Sequence, residues 1–124
     1  MIAKIINPEL GSYKSVNTDY DVSGPGLPVA IVKEPEDTKD RVWVLDAIQY
    51  SYKGEDDITV IDGGIDIEVG DRVKWSADIS DFIGVYNLYI PGQTDKSITV
   101  TLKSGGLRVV GKLNCQWHLE PAAG

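Results

Sequence analysis

The sequence predicts an all-β fold: an antiparallel β-sandwich or jelly-roll-like barrel of seven or eight strands with an extended N-terminal arm. Three observations predict it. Runs of Val, Ile, Tyr and Trp alternate with polar residues at the two-residue period of a half-buried strand. Turn residues interrupt those runs roughly every 8–12 residues, the spacing of a sandwich or barrel. Thirteen Gly and six Pro, with scarcely any Ala- or Leu-rich run, favour strands and turns over helices.

Residues 1–40 hold Pro8, Gly11, Gly24-Pro25-Gly26, Pro28 and Pro35 among dispersed apolar residues. Proline donates nothing to a ladder, so this region is not central strand throughout. It reads as an arm, with Ile2–Ile6 and Leu27–Val32 as short edge strands. The sandwich domain is expected over residues 41–124. Arg41–Tyr52 is a long strand, apolar on both sides at its start and alternating at its end, closed by the polar turn Lys53–Asp57. Ile58–Ile61 and Ile65–Val69 flank Asp62-Gly63-Gly64, which reads as a hairpin turn whose glycines supply positive φ. Arg72–Ala77 alternates again, with Val73, Trp75 and Ala77 inward. Asp78–Gly84 reads as a loop or short helical turn, and Val85–Ile90 as a strand stopped by Pro91-Gly92. Ile98–Leu102 and Leu107–Leu119 meet at Gly105-Gly106 and finish the sheet.

At 124 residues and 13.5 kDa the chain is long enough for one domain with a real core. No segment approaches the ~18 apolar residues of a membrane span, and Met1–Pro8 lacks the long apolar stretch of a secretory signal. Cys115 is the one cysteine, so folding without disulfides in a reducing cytoplasm is expected. The net charge is −7 and unevenly placed. Residues 55–81 carry nine acids against Arg72 and Lys74, whereas residues 96–112 carry Lys96, Lys103, Arg108, Lys112 and no acid. An acidic chain repels phosphate backbones, which argues against a nucleic-acid partner. The asymmetry fits a solvated face, or complementary edges between identical subunits.

The catalytic inventory is thin. His118 is the one histidine, so a His-based metal cluster within one chain is excluded. Cys115 and His118 are three apart, which on a strand puts them on opposite faces and argues against a nucleophilic pair. Cys115 reads as a small core residue and His118 as a surface or interface side chain. Asp62-Gly63-Gly64-Ile65-Asp66 lacks calcium-loop spacing. Asp66 and Glu68 fall on the polar face of their strand, away from any cleft where paired carboxylates act. Gly63-Gly64 and Gly105-Gly106 precede no helix and no Lys-Ser/Thr pair, so neither is a phosphate loop. No cofactor is expected. Trp43, Trp75 and Trp117 sit in apolar alternations and read as core. Of Tyr86 and Tyr89 one must leave the core, so these two are the candidates for an exposed ligand contact.

Three motifs stand in order: Trp43-Val44-Leu45-x-x-Ile48-x-x-Ser51-Tyr52, Asp62-Gly63-Gly64, and Val100-Thr101-Leu102-x-x-Gly105-Gly106-x-x-Val109-x-Gly111-Lys112-Leu113-Asn114. Over roughly residues 41–119 the chain resembles small structural proteins encoded near the capsid genes of tailed bacteriophages, the head-decoration or cement proteins. That resemblance implies a non-enzymatic virion protein, made in the host cytoplasm, that forms a homotrimer. It implies binding of the major capsid protein on the outside of an icosahedral shell at quasi-threefold positions. The first forty residues are not covered by it.

A capsid clamp needs a rigid core, self-complementary edges and an extended segment, and no chemistry. On that expectation Ile2, Ile5, Ile6, Leu27, Val29 and Ile31 anchor the arm on the capsid protein or a neighbouring subunit. Leu107, Val109, Leu113, Trp117 and His118 are then the subunit interface. The rival is a carbohydrate-binding jelly-roll module of a fibre or tail tip, with Tyr and Trp stacking on sugar rings. A small hydrolytic enzyme ranks last, because acids and nucleophiles do not converge.

Overall fold

A computed structural model describes residues 17–55 and 60–122. Ile2, Ile5 and Ile6 lie outside the described residues. Eight strands follow one another: β1 (Asn17–Val22), β2 (Val29–Lys33), β3 (Arg41–Gly54), β4 (Gly63–Val69), β5 (Arg72–Ile79), β6 (Ile83–Pro91), β7 (Ile98–Leu102) and β8 (Val109–Pro121). They form two four-stranded sheets, β1-β8-β3-β6 and β2-β7-β4-β5, antiparallel throughout. β1 lies beside β8, β2 beside β7, β3 beside β6 and β4 beside β5. That nesting is the strand order of a jelly roll, so the expected fold class holds.

The core is the space between the sheets. Leu45, Ile48, Leu113, Cys115 and Trp117 from the first sheet meet Ile65, Ile67, Ile98, Val100 and Leu102 from the second, all fully buried or nearly so. Each such side chain stabilises the fold by about 1.5–3 kcal/mol relative to exposure. One side of the sandwich is closed by Trp75 of β5 against Tyr86 of β6, ring centroids 4.9 Å apart. The other is closed between β1 and β2 by Lys33. Its Nζ lies 2.7 Å from Asp19 Oδ2 and 3.2 Å from Asn17 Oδ1, and 4.6 Å and 5.4 Å from the rings of Trp43 and Trp117.

Several expectations are corrected. The described part of residues 1–40 does not stand apart as an arm, because β1 pairs along β8 and β2 along β7. β2 matches the edge strand expected at Leu27–Val32, but its apolar residues Val29 and Ile31 are core, not capsid contacts. Gly105-Gly106 does not turn β7 back onto β8, since these strands belong to opposite sheets. The segment crosses between the sheets, with Gly106 at φ 144°. Asp62-Gly63-Gly64 is not a hairpin turn either: Gly63 and Gly64 begin β4, which pairs with β5 and β7. These glycines answer to Tyr52. Its buried ring lies where a Cβ on Gly63 or Gly105 would stand, 2.6 Å from Cζ and 2.7 Å from Cδ1 respectively. The Tyr52 hydroxyl donates to the Lys103 carbonyl at 2.7 Å, tying the two sheets together. Val73, expected inward, is 57% exposed because a register shift makes Lys74 an extra residue and sets Val73 opposite Glu68, on the outward face.

The apolar start of β3 has its own cause. Its register shifts between Leu45 and Ala47 against both neighbours: Asp46 is the extra residue of a β-bulge against β8, whereas against β6 the extra residue is on β6, where Leu88 and Tyr89 oppose Asp46. Val44 and Leu45, on opposite faces, are both fully buried.

Candidate functional site

The bulge positions the most organised polar cluster among the described residues. On the outer face of the first sheet, Asp46 meets His118 of β8, and His118 meets Glu120 two residues on. His118 Nδ1 lies 2.7 Å and 2.8 Å from the two Asp46 oxygens, and Nε2 lies 2.7 Å from Glu120 Oε2. Tyr89 of β6 donates its hydroxyl to Glu120 Oε1 at 2.5 Å, which raises the tyrosine pKa. His118 is 5% exposed. Carboxylates accept and do not donate, so a ring bonded to one at each nitrogen donates twice and is an imidazolium. Burial works against that charge, but the hydrogen bonds to Glu120 and Asp46 outweigh it and hold the His118 pKa above its ordinary 6.5. No serine, threonine or cysteine among the described residues hydrogen-bonds the ring. Tyr89 and Glu120 also wall an open hollow of about 510 Å³ bounded by Val42 and the segment Pro91–Asp95.

Farther along the same face lies a second, more apolar hollow of about 360 Å³, lined by Tyr20, Gln49, Ser51, Ile83, Val85, Lys112 and Asn114 among others. A small depression of about 190 Å³ adjoins it, edged by Gln49, Asn87, Asn114 and Gln116. The strand pairing explains the composition. Tyr20 opposes Asn114, Asn114 opposes Gln49, and Gln49 opposes Val85, so one row crosses all four strands. Among the described residues no acid lines either.

The expected site residues scatter. Val109, Leu113 and Trp117 are interior, because they are the inward half of the alternation along β8, and so they are no subunit interface. His118 is buried and paired rather than a surface or interface group. Tyr86 packs inward on Trp75, while Tyr89 is 61% exposed and is the outward member of the pair. Cys115 is buried on the opposite face from His118, and its thiol is pushed up to about 12, first by burial. Trp117 is fully buried, and Trp43 and Trp75 pack against the core, so tryptophan offers no sugar platform. Leu27 and Leu107 do remain exposed, at 59% and 86%. The structure brings them to one end of the sandwich: the Gly26 N–H donates to the Val109 carbonyl at 3.0 Å, and a Cβ on Gly26 would touch the Leu107 carbonyl at 2.6 Å. Val60, 81% exposed, is at the same end, its carbonyl 3.9 Å from where a Gly106 Cβ would stand. No alternation signals this apolar tip, since its three residues sit in separate loops.

No family model matches the chain, and neither does a curated protein. Among solved structures it is similar to the Yersinia pseudotuberculosis-derived mitogen, at 11% identity and a TM-score of 0.47 over 83% of this chain and 85% of that one. FLHE matches 84% of this chain and 96% of its own length, at 10% identity and a TM-score of 0.42. A nora virus structure matches 91% of this chain and 58% of its own, at 10% identity and a TM-score of 0.35. These likenesses are too distant to carry function, and it is the chain's own strand order that identifies it as an eight-stranded jelly roll.

Proposed function

We propose that this chain is a non-enzymatic structural protein of a virion, which decorates the outside of an icosahedral shell and stabilises it by gripping the major capsid protein at quasi-threefold positions. The observation that carries the reading is the apolar tip of Leu27, Val60 and Leu107. It presents large hydrophobic side chains from three loops at one end of a rigid core, a shape suited to adhesion. The resemblance to head-decoration proteins supplies the partner. The locking of His118 between two carboxylates supports a role without catalysis, since an imidazolium held at both nitrogens is no general base. The homotrimer that the resemblance implies is not part of this proposal, because Val109, Leu113 and Trp117 are interior and give it no contacts.

The test is co-sedimentation with purified shells. Replacing Leu27, Val60 and Leu107 together with aspartate is expected to abolish shell binding with the melting temperature unchanged. Full binding by that variant overturns the reading. Truncation of residues 1–24 is no substitute, because it removes β1 from the first sheet.

The row Tyr20–Asn114–Gln49 favours a second reading, a module for neutral glycans. Amides donate and accept toward hydroxyls while tyrosine stacks on a sugar face. Binding on an array of neutral glycans that Gln49→Ala and Tyr20→Ala both abolish would favour it over shell decoration.

A further inference from the structure

Among the described residues the sandwich has four strand edges: β1 and β6 in the first sheet, β2 and β5 in the second. An edge exposes a row of backbone donors and acceptors, and soluble proteins guard such rows with charge, proline or bulges. Three edges here are guarded by charge. β1 carries Asp19 and Asp21, β2 carries Lys33, and β5 carries Arg72, Lys74 and Asp78. β6 carries none, and no charged residue occurs from Phe82 to Thr94. Its one proline, Pro91, and its bulge at Leu88 and Tyr89 stand at the far end, beyond Ile83–Asn87.

The backbone phase of β6 follows from one hydrogen bond. Tyr52 N–H donates to the Phe82 carbonyl at 2.6 Å. Antiparallel ladders alternate, so Gly84 and Tyr86 also turn their backbone groups toward β3, while Ile83, Val85 and Asn87 direct theirs away from the sheet. Among the described residues no strand pairs on that side. Ile83 is 72% exposed and Val85 55%, an apolar stripe along the same stretch.

We propose that β6 pairs with β6 of a second copy of this chain, antiparallel about a two-fold at Val85, so that two four-stranded sheets join into one of eight. In that register Val85 meets its own counterpart and Ile83 lies opposite Asn87 of the second copy. All three outward-facing residues then exchange backbone hydrogen bonds. The absence of charge makes this the edge at which two copies can meet. Two chains of net charge −7 repel, and an isologous contact sets like against like. Across a two-fold, Asp19 and Asp21 of β1 would face carboxylates, whereas β6 offers an approach free of charge. Neither the shell reading nor the glycan reading is needed for this pairing.

The experiment is mass in solution by light scattering over a concentration series, with the full chain and no shells. A species of twice the 13.5 kDa chain mass is expected. Val85→Pro deletes an outward N–H and leaves the ladder to β3 intact, and Val85→Lys sets two ammonium groups face to face. Each is expected to weaken dimerisation by about tenfold or more. Should Val85→Pro fail to fold, Val85→Lys decides. Hydrogen exchange adds a residue-level readout: the amides of Ile83, Val85 and Asn87 should exchange slowly in the dimer and rapidly in the Val85→Lys monomer. A chain that stays monomeric up to about millimolar concentration, a dimer indifferent to both substitutions, or a mass of three copies overturns the proposal.

Discussion

Replacing His118 with alanine tests the network that the β3 bulge assembles. Two ring N–H groups are lost, each bonded to a carboxylate at 2.7 Å. A hydrogen bond to a charged group contributes about 1.5–3 kcal/mol, and the lower end applies because water reaches both acceptors. Asp46 and Glu120 are each 34% exposed at the side chain. The expected loss is therefore about 3 kcal/mol, which in a chain of this size lowers the Tm by roughly 10 °C. Its pH dependence is the sharper signature. The folded-state pKa of His118 lies above the ordinary 6.5, so the stabilisation is fully present below that value and is lost as pH rises through the raised one. Urea melts of the wild type and His118→Ala between about pH 6 and about pH 9 should show a gap that narrows as pH increases. A gap that is constant or widens with pH would refute the imidazolium assignment.

Two further outcomes follow from the core. Gly105→Ala places a methyl group 2.7 Å from Cδ1 of the Tyr52 ring and should cost about 1–3 kcal/mol by overpacking, read as a lowered urea midpoint. Cys115, buried with its thiol raised to about 12, should resist a thiol reagent in the folded protein and react promptly in denaturant. Prompt labelling without denaturant would contradict its place in the core.

How much of this was legible in the sequence depends on the range of the interaction concerned. Alternation placed the strands Ile65–Val69 and Ile98–Leu102 correctly, and the buried face of the first, because a two-residue period records local exposure. The same signal misled at β8. Leu113 and Trp117 look like any apolar stripe, and only the opposing sheet decides that the stripe is interior. The glycines of Asp62-Gly63-Gly64 were legible as glycines but not in their cause, which is the ring of Tyr52, distant in sequence and adjacent in space. His118 reads in sequence as a surface or interface side chain because one of its partners, Asp46, reaches it through a one-residue bulge, an irregularity that periodicity does not encode. Tyr89 was half legible: one of the Tyr86–Tyr89 pair had to face outward, but its bond to Glu120 joins two strands, β6 and β8, that are not neighbours.

Lys33 gives the sandwich a seam with a latch. β1 and β2 belong to different sheets, yet a single ammonium bridges them through Asp19 and Asn17 while resting on the rings of Trp43 and Trp117. Neither edge can peel away alone without stranding a cation on aromatic surface or leaving a carboxylate unmatched. The first two strands should therefore open together, as one flap hinged on β7 and β8, and a lysine-to-methionine change at this position should let them fray separately.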